Sequence, residues 1–203
     1  MLEIENQLYE NDYQHIACID EVGRGCLFGD VVSCAIIMPK GLIIPEVKDS
    51  KKLTPKKREE LFDIIIEKSI AYGIGRVDNR IIDQINIKQA TRLSMKYAVV
   101  NLKDSLGNIY IPDFLLIDAE NIDIEIEQLS IKKGDSLSHG IACASIVAKV
   151  VRDRLCLAWD EIYPDYGIGK HKGYGTKAHV EALKKHGATK LHRNTFLRKI
   201  LGG

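Results

Sequence analysis

Phe114-Leu115-Leu116-Ile117-Asp118 is a continuous apolar run that ends in an acid. A strand of this kind has no side suited to water, so it reads as a buried central strand with protein packed on both faces. The rest of the chain supplies those layers. Residues 15–20 and 31–38 are short runs rich in β-branched residues, separated by a glycine-containing segment, and predict two adjacent strands. Residues 51–68 predict a helix, with Thr54 as N-cap, Pro55 at the first helical position, and Leu61, Ile64 and Ile65 at helical spacing. Residues 71–77 predict another strand, after which Asp78-Asn79 caps a helical stretch that runs to about Leu102 with an interruption near Asn86. A long helix is predicted over 142–162 and a shorter one over 176–185, ended by Gly187. Residues 192–200 suit a short basic helix. This order predicts an α/β fold, a mixed central sheet flanked by helices with a helical C-terminal part. A single domain over 1–203 is expected, its helical segment beginning near 176, because a chain of 203 residues can bury a core without disulfides or a structural metal.

Apolar residues make up 45% and charged residues 28% of the chain, values that exclude a disordered or membrane-embedded protein. The start, Met1-Leu2-Glu3-Ile4-Glu5, is acidic and lacks the basic-then-apolar order of a signal peptide. No apolar run approaches the roughly 18 residues needed to span a bilayer, so no membrane role and a cytoplasmic location are expected. Five cysteines form no C-x-x-C pair and are odd in number, which argues against a zinc site or a disulfide framework. The net charge of +1 hides an asymmetry: residues 132–203 carry 14 Lys/Arg against 6 Asp/Glu, whereas residues 1–131 carry 15 against 22. A basic last third of this kind suits a surface that follows a phosphate backbone.

Acids stand at informative places. Asp20 and Glu21 are adjacent at the end of the first strand, immediately before Gly23-Arg24-Gly25, and Asp118 ends the central strand. Side chains at strand ends, where a sheet opens into loops, are placed to meet in a crevice. Asp135 lies in a loop shortly before the long helix, whose N-terminus favours negative charge. Clustered carboxylates repel one another unless a cation neutralises them, and hard oxygen ligands suit Mg²⁺ or Mn²⁺ rather than zinc. Two such ions about 4 Å apart can activate a water and stabilise the leaving oxygen of a phosphodiester. Taken singly, each acid reads more readily as a surface residue or a helix cap, and spacing alone does not show that they converge.

The segment Ile19-Asp20-Glu21-Val22-Gly23-Arg24-Gly25 resembles the first signature of ribonuclease HII, the type 2 ribonuclease H family. Asp49-Ser50-Lys51-Lys52-Leu53-Thr54, Leu116-Ile117-Asp118, and the run from Lys133-Gly134-Asp135 through Asp153 resemble further motifs. Tyr163-Pro164-Asp165-Tyr166-Gly167, Lys172-Gly173-Tyr174-Gly175-Thr176 and His192-Arg193-Asn194-Thr195-Phe196 complete the set in the family's order, over nearly the whole chain. The resemblance implies a ribonuclease H-like fold in which Asp20, Glu21, Asp118 and Asp135 are catalytic acids that bind metal. It implies cleavage of the RNA strand of RNA–DNA hybrids and nicking of double-stranded DNA 5′ to embedded ribonucleotides, by a monomer that leaves 3′-hydroxyl and 5′-phosphate ends. It also implies that Gly23, Arg24 and Gly25 touch the ribose 2′-hydroxyl, that Tyr174 packs on the next sugar, and that Ser50 and Lys51 contact phosphates. These roles make physical sense, since glycine admits close backbone approach and a 2′-hydroxyl separates RNA from DNA. The chain departs from the family's usual proline at Cys26, alanine at Phe28, proline at Asp30 and glycine at Ala119, and none of these departures removes an acid.

Other features carry less. Gly23-x-Gly25-x-x-x-Gly29 lacks the Lys-Ser/Thr of a P-loop and the spacing of a dinucleotide fingerprint. His171, His179, His186 and His192 form no H-E-x-x-H or i, i+4 pair and are expected on the surface or as caps. Ser145, Lys149 and Asp153 share one helix stripe, where Lys149 and Asp153 are expected to be structural. The rival function is a non-catalytic duplex-binding protein that has kept the fold. A nucleotide-binding transferase built on the glycine-rich turn is a third reading.

Overall fold

The computed structural model describes residues 1–47 and 53–201. Five strands form one sheet in the order β3-β2-β1-β4-β5. They are β1 (Ile16–Val22), β2 (Val31–Ile37), β3 (Ala71–Val77), β4 (Phe114–Asp118) and β5 (Glu127–Ile131). β2 pairs antiparallel with both β1 and β3, whereas β4 pairs parallel with both β1 and β5, so the sheet is mixed as expected.

Side chains alternate across a strand, and both faces of the two central strands are apolar. Ile16, Cys18, Phe114 and Leu116 face one core, which α5 (His139–Ile162) covers with Ile141, Ala144 and Val147 and α2 (Pro55–Lys68) with Leu61 and Ile65. Ala17, Ile19, Leu115 and Ile117 face the other, covered by Met95, Ala98 and Val99 of α3 (Asn79–Val100). α3 lies directly on β3: a Cβ on Gly75 would come within 1.8 Å of the Ser94 carbonyl oxygen, so only glycine permits this approach.

Helix ends follow the sequence signals closely. Thr54 and Asp78 accept the backbone N–H groups of Lys57 and Ile81, and Thr176 accepts that of His179 at the start of α7 (Lys177–His186). Asn86 interrupts α3 with φ 68°, and its side chain re-caps the helix by accepting from Lys88 and Gln89. The long helix starts earlier than its apolar pattern suggests, because Ser138 caps it at Ile141. α1 (Glu3–Glu10) and β5 were not expected. Asp135 lies not in a loop but in a short helix, α4 (Gly134–Leu137), directly before Ser138. Another short helix, α6 (Ile168–His171), precedes α7.

A separate apolar cluster joins the C-terminal part, which includes α8 (Asn194–Leu201), to the loop after β1. Phe28 is fully buried there, edge-on to Trp159 at 5.8 Å and to His192 at 4.7 Å. The histidine expectation needs correction at this point. His186 is exposed, but His179 and His192 are completely buried and touch each other, because loop and helix fold back over Phe28. Among the described residues, no helix is long and apolar enough to cross a membrane.

Candidate active site

The parallel ladder between β1 and β4 ends at Ile19 opposite Ile117, one residue before Asp20 and Asp118. Beyond that point each strand keeps only its outer partner, β2 or β5, and a crevice opens between them. Asp20 and Glu21 both lie inside β1 rather than at its end, yet both line this crevice with Asp118, Ser145 and Lys149. The cavity measures about 250 Å³, room for several waters or ions. Gly23-Arg24-Gly25 and Tyr174 line the same cavity.

The electrostatics are those of an uncompensated acidic cluster. Burial, then the charges of Glu21 and Asp118, hold the Asp20 carboxyl well above its ordinary value of 3.8, against hydrogen bonds from Ser145 and the Glu21 N–H. Glu21 is also raised, chiefly by burial, although Arg24 at 3.4 Å opposes the shift. Glu21 Oε2 is buried without a hydrogen-bond partner, which is costly unless something else satisfies it. Asp118 Oδ1 accepts the N–H of Gly134 at 2.8 Å, so the end of β4 is tied to α4. Asp135 is the next residue and is buried, but it does not line the cavity. Among the described residues, no three His, Cys, Asp or Glu side chains are grouped as a ready metal cage. The structure thus brings Asp20, Glu21 and Asp118 to one space and leaves Asp135 buried outside its lining.

The turn after β1 is held from beneath by two fully buried arginines. Arg152 donates to the carbonyls of Asp30, Phe28 and Lys172, and Arg193 to those of Gly29 and Arg24, all at 2.8–3.1 Å. Gly23 has φ 95°, and a Cβ there would overlap Arg152 Nε at 2.2 Å. The Arg24 side chain reaches Glu21 and Glu120, and Glu120 in turn pairs with Arg92. Asp30 is paired with Arg76 at 2.8 Å and stays out of the crevice. Ala119 adopts φ 54°, a conformation that suits the glycine usual in the family. Lys149, which lines the cavity, is paired with Asp153 at 2.5 Å. Ser50 and Lys51, and Lys52 beside them, lie outside the described residues.

Sequence reasoning gave no role to Arg152, Arg193 or Glu120. Arg152 offered one signal, a charge on the apolar face of a long helix. Such a residue must be richly hydrogen-bonded to be buried.

A mixed sheet that splits into an acid-lined crevice beside a glycine-rich turn defines a nuclease of the ribonuclease H class, and solved structures agree. The chain is similar to ribonuclease H2 from Pyrococcus horikoshii OT3, with TM-score 0.75 and 26% identity over 92% of this chain and 97% of that one. The fold also matches Bst-RNase HIII in complex with Mn²⁺, with TM-score 0.66 and 18% identity over 94% and 70%. The family model described as Ribonuclease HII matches residues 17–199. Ribonuclease HII of Alkaliphilus oremlandii (strain OhILAs) is 62% identical over 98% of both chains. The chain belongs to the ribonuclease HII family and is an endoribonuclease.

Proposed function

We propose that this endoribonuclease hydrolyses the RNA strand of RNA–DNA hybrids and nicks double-stranded DNA on the 5′ side of embedded ribonucleotides, leaving 3′-hydroxyl and 5′-phosphate ends. The observation that carries the reading is the crevice itself, where Asp20, Glu21 and Asp118 line one cavity with Gly23-Arg24-Gly25 and Tyr174. Asp20, Glu21, Asp118 and Asp135 are the catalytic acids in this reading. The raised carboxyls and the orphaned Glu21 Oε2 fit a hard divalent cation, Mg²⁺ or Mn²⁺, and a pair of ions suits the family chemistry. When bound, such ions supply a nucleophilic water at neutral pH and stabilise the leaving oxygen. Asp135 completes the set through α4, whose Gly134 N–H already holds Asp118 in place.

The remaining residues select the substrate. Gly25 exposes backbone, and Gly23, though buried, lines the same crevice, where a 2′-hydroxyl can be read; Arg24 neutralises Glu21 beside it. Tyr174 is 43% exposed and offers its ring to the next sugar. Ser50 and Lys51 contact phosphates, and a basic C-terminal third follows the duplex. We assign the chain a single domain, a monomeric state and a cytoplasmic place of action, in keeping with a nuclease that works on replicating DNA.

The test is a gel assay of a duplex with one ribonucleotide beside an all-RNA hybrid, with Mg²⁺, Mn²⁺ or a chelator. Cleavage 5′ to the lone ribonucleotide, abolished by chelation, is the expected result. Duplex binding with no cleavage in either metal would instead favour a non-catalytic binding protein.

A further inference from the structure

We propose that His179, backed by His192, is a positioning residue that fixes the Tyr174 backbone and thereby sets the preference for a lone ribonucleotide over a continuous hybrid. This rests on the sugar-packing role given to Tyr174 above.

Tyr174 sits in a turn that regular structure does not hold. Lys172 and Gly173 before it have positive φ, and Gly175 follows. Its carbonyl oxygen accepts two hydrogen bonds, from the Thr176 N–H at 2.8 Å and from His179 Nδ1 at 2.9 Å. Behind His179, its Nε2 meets His192 Nε2 at 3.1 Å. The Thr189 N–H, which can only donate, points at His192 Nδ1 at 2.9 Å. His192 Nδ1 therefore carries no proton, and the neutral ring has its hydrogen on Nε2. That hydrogen goes to His179 Nε2, which leaves His179 protonated on Nδ1, the atom that faces the Tyr174 carbonyl. The chain of donors runs one way, from Thr189 through His192 and His179 to Tyr174.

The surroundings keep this order. Both rings are wholly buried, and burial lowers both pKa values, that of His192 to about 4, so each stays neutral at working pH. His171 stacks on His179 at 4.4 Å, its own tautomer fixed by the Gly173 N–H on Nδ1. Cys26, in the turn after β1, forms an isolated antiparallel bridge with Tyr174, and a Cβ on Gly25 would sit 3.8 Å from the tyrosine ring. A fixed Tyr174 peptide thus fixes the gap between the ring and the glycine-rich turn, the gap that must admit one ribose followed by one deoxyribose.

The experiment measures kcat/KM on both substrates for wild type, His179→Leu, His179→Asn, Tyr174→Ala and the His179→Leu/Tyr174→Ala double variant, with duplex affinity measured separately. Asn keeps a donor near the Nδ1 position. His179→Leu is expected to lower the lone-ribonucleotide to hybrid ratio about tenfold, with duplex affinity little changed, and Asn to restore most of it. In the double variant the histidine change should add little, because no ring remains to be positioned. Additive losses, or a folded His179→Leu with the wild-type ratio, would overturn the proposal while leaving Tyr174 in its role. An unchanged ratio in Tyr174→Ala would instead overturn that role and this proposal with it. Should His179→Leu fail to fold, ¹⁵N NMR of the wild-type imidazoles decides: Nδ1–H on His179 and Nε2–H on His192 support the relay, and the reverse tautomers refute it.

Discussion

The buried guanidinium of Arg193 donates to the backbone carbonyl of Arg24 at 2.9 Å, across 169 residues of chain. The start of the last helix therefore holds up the turn that faces the acids. The same side chain donates through Nε to the Gly29 carbonyl at 2.9 Å, a fork that lysine cannot reproduce. Burial lowers its pKa to about 10, which still leaves it charged at neutral pH. Arg193→Lys should cost about 1–3 kcal/mol in urea unfolding, the usual penalty for a buried polar group left unmatched, and should slow cleavage of both substrates alike. A midpoint equal to wild type would show that the fork contributes nothing.

Asp20→Asn, Glu21→Gln, Asp118→Asn and Asp135→Asn should each reduce turnover at saturating Mg²⁺ by on the order of a hundredfold or more, equivalent to about 3 kcal/mol of lost transition-state stabilisation. Duplex affinity should survive, because the basic surface is untouched. Asp135→Asn is the most informative, since Asp135 is buried but does not line the cavity. Near wild-type turnover in that variant would remove Asp135 from the catalytic set and leave the other three.

The raised acids also predict a metal effect on stability. Asp20 ordinarily titrates at 3.8 and is held higher in the fold, so the unfolded chain releases its proton first as pH rises. Stability is thereby lost as pH climbs from the ordinary value toward the elevated folded one, a cost that the metal-free protein bears at neutral pH. A cation that binds only the folded state offsets it. Mn²⁺ at pH 7.5 should raise Tm by several degrees in wild type and much less in Asp20→Asn, while the metal-free variant should melt above metal-free wild type. Equal shifts in both proteins would mean that the ion binds elsewhere.

Much of the frame is legible because the strands flanking the crevice are apolar on both faces. Ile16 to Ile19 and Phe114 to Ile117 announce a central pair, and the acids that follow mark where the ladder ends. β5 gave no such signal, because Glu127 and Leu129 are exposed at the sheet's edge and the strand alternates without an apolar face. Asp135 was legible as an acid near the long helix but not as part of α4, since a four-residue helix buries too little to leave a pattern. The buried histidines and arginines were misread or passed over for one reason. His179 meets His192, and Arg193 meets Arg24, only through tertiary folding that no local spacing encodes.

That histidine pair makes the last prediction, a loss of stability in mild acid. An ordinary histidine titrates near 6.5, whereas burial and the neighbouring His179 lower His192 to about 4. As pH falls below 6.5 the unfolded chain takes up this proton and the folded one does not, so stability declines until the folded value is reached. The loss between pH 6.5 and 4 is on the order of 3 kcal/mol for this group. Asp20 and Glu21 act in the opposite sense, gaining stability as they are protonated, so the wild-type curve alone mixes the two. The difference between wild type and His192→Gln separates them: glutamine can still donate to His179 Nε2 but does not titrate. Urea unfolding at pH 7.5, 6.5, 5.5 and 4.5 should therefore give wild type a steeper decline than the variant. If both proteins lose stability in parallel over that range, His192 is not held neutral by the fold.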